Sequence, residues 1–149
     1  MKTATWFRTL AGAFAFFTIG HTLGFLKPPA AGSPAAPVYD AMRHIAFPAM
    51  GVMRTYLDFY RGFGLLVSVA FVVLALLAWQ VASLSRDHPR EAMPFALTLF
   101  VGCAGTAILS FVYFFAAPMA TSVVVMACAL GAWGSLARDA RRAAIRRAA

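Results

Sequence analysis

Residues 54–81 read RTYLDFYRGFGLLVSVAFVVLALLAWQV. From Phe63 through Ala78 the stretch is almost purely apolar, and it closes on Trp79, Gln80 and Val81. At about 100° per residue on a helix, Arg54, Asp58, Arg61 and Ser68 fall within one narrow arc, with Tyr56 and Tyr60 on the other side. The pattern predicts a transmembrane helix whose first two turns carry a charged stripe. On insertion scales a central Asp or Arg costs about 2.5–3.5 kcal/mol, and each Leu, Ile, Phe or Val returns about 0.3–0.6 kcal/mol. About a dozen such residues between Phe63 and Val81 offset about two charges, and Asp58 and Arg61 lie near one end, where the cost is lower. The helix is expected to insert, and its charges need partners.

Composition extends this reading to the whole chain. The 149 residues are 62% hydrophobic and only 12% charged, with a mean hydropathy of +0.76. A soluble domain carries about 25% charged residues, so the apolar side chains here must face lipid as well as each other. Spans of about 20 residues fit four times, at about 6–26, 56–82, 92–115 and 119–136. An outer loop and interfacial helix fill 27–55, and a basic tail fills 137–149. One membrane domain and no soluble domain are expected. The net charge of +8 sits beside apolar spans, where lipid headgroups and topology account for it, and no nucleic-acid partner is expected. Cys103 and Cys128 lie inside spans without CxxC or CxxCH spacing, which favours buried packing residues over a disulfide or thiolate metal site.

In chain order, Lys2 and Arg8 open the first span. A basic start and an apolar run also begin a signal peptide, but this run is long enough to cross a bilayer. It carries Gly20-His21-Thr22-Leu23-Gly24, a GxxxG that lets another helix approach closely. The linker 27–37 contains Pro28, Pro29, Pro34 and Pro37 and excludes regular helix. Residues 38–47 predict a short helix ended by Pro48 and lying in the membrane interface. Residues 83–90 form a polar turn. Pro94 falls in the first turn of the third span. Ala116-Ala117-Pro118 reads as a tight turn, and Ala127, Gly131 and Gly134 give the fourth span a small-residue side. Arg138, Arg141, Arg142, Arg146 and Arg147 form the tail, read as a helix on anionic lipid or a topology anchor.

Four spans put both termini on one side. Lys2, Arg8, Arg86, Arg90 and the tail arginines share that side, against Lys27, Arg43 and Arg54 opposite. The positive-inside rule makes the first side cytoplasmic, and the expected location is the plasma membrane, the inner membrane if the cell is a bacterium with a periplasm. On this topology His21, Asp58 and Arg61 all sit about 5–10 Å inside the outer boundary. Ser110 and Tyr113 end the third span at that level, and Thr121 and Ser122 open the fourth.

Such a layer suits a ligand. Arg54, Asp58 and Arg61 leave one positive charge over, and guanidinium groups bind carboxylate or phosphate. Phe14, Phe17, Phe25, Phe63 and Phe111 surround the layer with apolar surface. The expected binding residues are His21, Arg54, Asp58, Arg61 and Tyr113, around a lipid, a quinone-like compound or another amphiphile. A second reading is a small membrane enzyme in which His21 acts as acid or base and Asp58 orients it. A third is an accessory subunit without a ligand, in contact with a membrane-protein partner or a second copy, and a purely structural ion network stays open. No cofactor is expected. Haem needs two facing histidines, which His21, His44 and His88 supply poorly. Copper(I) suits Met42, Met50, Met53 and Met119 beside His21 and His44, although methionine is an ordinary filler.

The segments 20–24 and 50–64 (MGVMRTYLDFYRGFG) resemble those of a group of small uncharacterised bacterial four-helix membrane proteins. More loosely, the chain is similar to DoxX-like four-helix membrane proteins. The resemblance implies an all-α, four-helix integral membrane bundle and carries neither an activity nor site residues.

Overall fold

The long helices follow from apolar runs that no proline interrupts for at least 18 residues. In the computed structural model, which describes residues 2–148, the element order is α1 (Thr3–Leu26), α2 (Ala36–His44), β1 (Ala46–Ala49), β2 (Val52–Thr55), α3 (Tyr56–Asp87), α4 (Pro89–Tyr113) and α5 (Ala116–Ala148). Arg147, one of the tail arginines, lies outside the residues whose side chains are described. Four of the helices, α1, α3, α4 and α5, are long and apolar enough to cross a membrane. The chain divides into a helical unit, Met1–Phe17 with Val72–Ala149, and a hairpin unit, Thr18–Phe71.

The helical unit is built on small side chains. α4 and α5 run with their Cα traces close together, because Ala92, Ala96, Cys103, Cys128, Ala129, Ala132 and Ser135 are all buried and none holds the backbones apart. Leu99, Val125 and Leu136 are buried as well, and the rings of Phe100 and Trp133 stand 6.4 Å apart. The first half of α1 buries Phe7, Leu10, Ala11 and Phe14, the i, i+3, i+4, i+7 face of a helix. The second half of α3 buries Ala78, Val81, Ala82 and Ser85. Trp6 lies flat on Gly131, where an added Cβ would meet indole atoms at 2.7 Å. The guanidinium of Arg8 sits 5.3 Å from the Trp79 ring centre, a cation–π contact between α1 and α3. Both cysteines are buried and free.

Several boundaries differ from expectation. Residues 83–87 continue α3 rather than turning, because nothing in Ser83-Leu84-Ser85-Arg86-Asp87 breaks a helix, and the break waits for His88. Pro89 takes the start of α4, which leaves Pro94 inside the helix rather than in its first turn. Ala116 already begins α5, so Phe114-Phe115 is the turn, and the Ala/Arg-rich tail continues the same helix. The interfacial segment ends its helix at His44, and Ala46–Ala49 pairs antiparallel with Val52–Thr55 in place of the expected helical residues. Gly20 and Gly24, the GxxxG pair, meet no atom that a Cβ would touch, so neither is a site of close helix approach within the chain.

Gly131 and Gly134 separate packing from helix propensity. Gly131→Ala drives a methyl into Trp6, and overpacking of this kind costs about 1–3 kcal/mol. Gly134→Ala meets nothing and gains about 0.5–1 kcal/mol of helix preference. Thermal unfolding in detergent is expected to show a lowered midpoint for the first variant and an unchanged or raised midpoint for the second.

Candidate functional site

The hairpin unit places its polar groups through one tight turn. Ala49 pairs with Val52, so Met50 and Gly51 form a two-residue connection. Their φ angles are 49° and 92°, the positive values that a type I′ turn demands at both positions. Gly51 adopts this freely, whereas Met50 does so at a steric cost. Pro48 needs no ladder hydrogen bond in a two-stranded ribbon. Phe47 then packs on Tyr56 and Phe59, with centroids at 4.8 and 5.2 Å, and ties the ribbon to the start of α3.

That start is a capping box. The hydroxyl of Thr55 accepts from the Asp58 N–H at 3.1 Å, and the Asp58 carboxylate accepts from the Thr55 N–H at 2.9 Å. Two N–H groups that the helix leaves unmatched are thereby satisfied. Asp58 is thus committed to its own backbone. It forms no ion pair with Arg54 or Arg61 among the described residues, where the close carboxylate contacts are those of Asp40 with His44 and Glu91 with His88. Arg54 is not on the helical stripe. It sits in β2 opposite Phe47 and donates to the Met53 carbonyl at 3.0 Å, because the hairpin keeps residues 52–55 extended.

His21 occupies a seam between the end of α1 and the start of α3. Its Nε2–H donates to the Gly64 carbonyl at 3.1 Å. Ser68 donates to the same carbonyl at 3.1 Å and stands 2.7 Å from the Thr22 hydroxyl. The single Ser68 proton is used on Gly64, so Thr22 donates to Ser68. The Phe25 ring covers Gly64, where a Cβ would lie 2.6 Å from it, and Phe25 and Phe71 flank the imidazole with centroids at 5.0 and 6.0 Å. The residue works here as a helix-to-helix donor. No hydrogen bond joins it to Asp58.

A cleft of about 500 Å³ remains, lined by Pro28, Tyr39, Arg43, Thr55, Leu57, Asp58 and Arg61. The Arg61 guanidinium donates to the Tyr39 hydroxyl at 2.9 Å, and Arg43 stands on the same face of α2, four residues beyond Tyr39. Neither guanidinium has a carboxylate within 4 Å among the described residues. Of the five residues expected to bind, Asp58 and Arg61 reach this cleft, while His21 is in the seam and Arg54 on the ribbon. Tyr113 belongs to the helical unit and is 75% exposed at the last turn of α4. Tyr39 and Arg43 are the additions, and their i, i+4 spacing next to the proline linker is the signal that names them. His44 pairs with Asp40 and His88 with Glu91. No three His, Cys, Asp or Glu side chains gather among the described residues. Comparison with protein-family models, with curated proteins and with solved structures finds no match to this chain.

The cap and the charge stripe make different predictions for Asp58. Thr55→Ala is expected to lower the unfolding midpoint by about 3 °C, the usual scale for a lost cap. In double-mutant cycles Asp58→Ala should couple to Thr55→Ala and not to Arg61→Ala. A larger coupling to Arg61 would mean that the carboxylate is an ion-pair partner.

Proposed function

We propose that this chain is an integral membrane protein that holds the anionic or carbonyl head of an amphiphile, a lipid or quinone-like molecule, in the cleft of the hairpin unit. One observation carries the reading. Arg43 and Arg61 line a single cleft with one carboxylate, that of Asp58, which is hydrogen-bonded to the helix start and forms no close ion pair with either, so one positive charge is left over. A charge-assisted hydrogen bond from a guanidinium to an anion contributes about 1.5–3 kcal/mol. Tyr39 steadies the Arg61 fork, and Leu57 and Pro28 supply apolar walls of the kind that accept the first carbons below a polar head.

Membrane insertion is supported by the four long apolar helices. Only 17% to 39% of the residues in the most apolar stretch of each are buried within the protein, which leaves the remaining faces for acyl chains. The basic residues favour both termini being cytoplasmic, which fits insertion in a bacterial inner membrane. On that orientation the cleft opens near the extracytoplasmic surface, within reach of outer-leaflet headgroups.

Native mass spectrometry of protein purified in mild detergent is expected to show a retained small amphiphile. The Arg43→Ala/Arg61→Ala double variant, which touches only exposed side chains, should lose it by at least tenfold, or about 1.4 kcal/mol. Equal retention by the wild type and the double variant would contradict the reading.

A further inference from the structure

A second cleft, of about 1340 Å³, lies within the helical unit, and its walls come from three separate parts of the chain. The start of α1 contributes Lys2, Thr3, Thr5 and Arg8, and the α3–α4 junction contributes Ser85, Arg86, Asp87 and Pro89. α5 contributes Ser135, Arg138, Asp139, Arg142 and Arg146. Six cations thus face two carboxylates. One of these, Asp139, already accepts a 2.6 Å hydrogen bond from Thr3, which fixes the start of α1 against α5. Arg8 is held over Trp79, and Arg138 donates to the Ser135 hydroxyl at 3.0 Å. No ion pair among the described residues engages Lys2, Arg86, Arg142 or Arg146. The first turns of α1 and α4 add the partial positive charge of helix N-termini.

We propose that this cleft binds an anion carrying two or more phosphate groups. Arg138, Arg142 and Arg146 follow one another at i, i+4 and i+8, a line about 12 Å long on one face of α5. One phosphate cannot span that line, and two can. Lys2 and Arg86 close the opposite walls. A topology anchor needs cations near the ends of the spans. It does not need six of them gathered around one cavity that holds only two carboxylates, one of them already bonded to Thr3. A diphosphate lipid headgroup and a soluble polyphosphate share this chemistry.

The test uses full-length protein in mild detergent, with cardiolipin, phosphatidylcholine and inositol hexakisphosphate as separate probes read by native mass spectrometry. Cardiolipin or inositol hexakisphosphate should be retained and phosphatidylcholine should not. Retention of the first alone assigns the phosphates to a lipid, and retention of the second alone assigns them to a soluble compound. Arg142→Ala and Arg146→Ala should each weaken binding about tenfold. Arg90→Ala removes the same charge from outside the cleft and should change it less than twofold. Phosphatidylcholine retained as well as cardiolipin with no inositol hexakisphosphate bound, or Arg90→Ala as damaging as Arg142→Ala, would overturn the proposal.

Discussion

A hydroxyl or carboxylate on an apolar helix has almost nowhere to send its hydrogen bonds except into its own backbone, and this constraint organises the long helices. Where water is excluded, an unsatisfied polar group costs several kcal/mol. Thr9, Ser85, Thr98, Thr106, Thr121 and Ser122 all donate to carbonyls three or four residues earlier in their own helices. Each thereby becomes apolar to its surroundings. The exceptions are informative. His21 and Ser68 donate to one carbonyl, that of Gly64, and Thr22 donates to the Ser68 hydroxyl, and so the three stitch α1 to α3. Measured interhelical hydrogen bonds of this kind average about 0.6 kcal/mol, so the seam specifies register more than it adds stability.

The same economy shapes the clefts. In the hairpin unit a carboxylate that could have neutralised an arginine is used to begin a helix. In the helical unit a carboxylate is used to hold α1 to α5. In both places the cations outnumber the acids, and one acid of each cleft also has a structural use.

Much of the fold is legible in the sequence because hydropathy is a strong signal over 20 residues. All four long helices are readable from composition, and Cys103 and Cys128 are readable as buried packing residues, whereas Ala127, expected on the packing side of the fourth span, is exposed. What escapes the reading is short-range. Met50-Gly51 is a hairpin turn whose first residue is an uncommon choice for positive φ, and Pro48 reads as a helix stop when it belongs to an edge strand. Thr55-Tyr56-Leu57-Asp58 spells a capping box, but the spacing of Arg54, Asp58 and Arg61 suggests an ion stripe instead. That stripe requires Arg54 to be helical, and the hairpin prevents it. The GxxxG of residues 20–24 is readable and yet unused for packing, while Gly64, in no packing motif, and Gly131, on the expected small-residue side of the fourth span, are the glycines under aromatic rings. Asp58 and Arg61 are recoverable from the sequence as neighbours. Tyr39 and Arg43 are recoverable only through the i, i+4 spacing that α2 puts on one face.

Whether the apolar helices cross a bilayer is the question on which the functional reading turns. Cys103 and Cys128 are buried, so single cysteines introduced at Gly32 and Asp87, the former in the proline linker and the latter at the end of α3, report against a quiet background. Labelling with a membrane-impermeant maleimide is predicted to modify the cysteine at 32 on intact cells and the one at 87 only after permeabilisation. Equal modification of both positions in intact cells, or protection of both until the membrane is opened, would contradict a chain that spans the membrane.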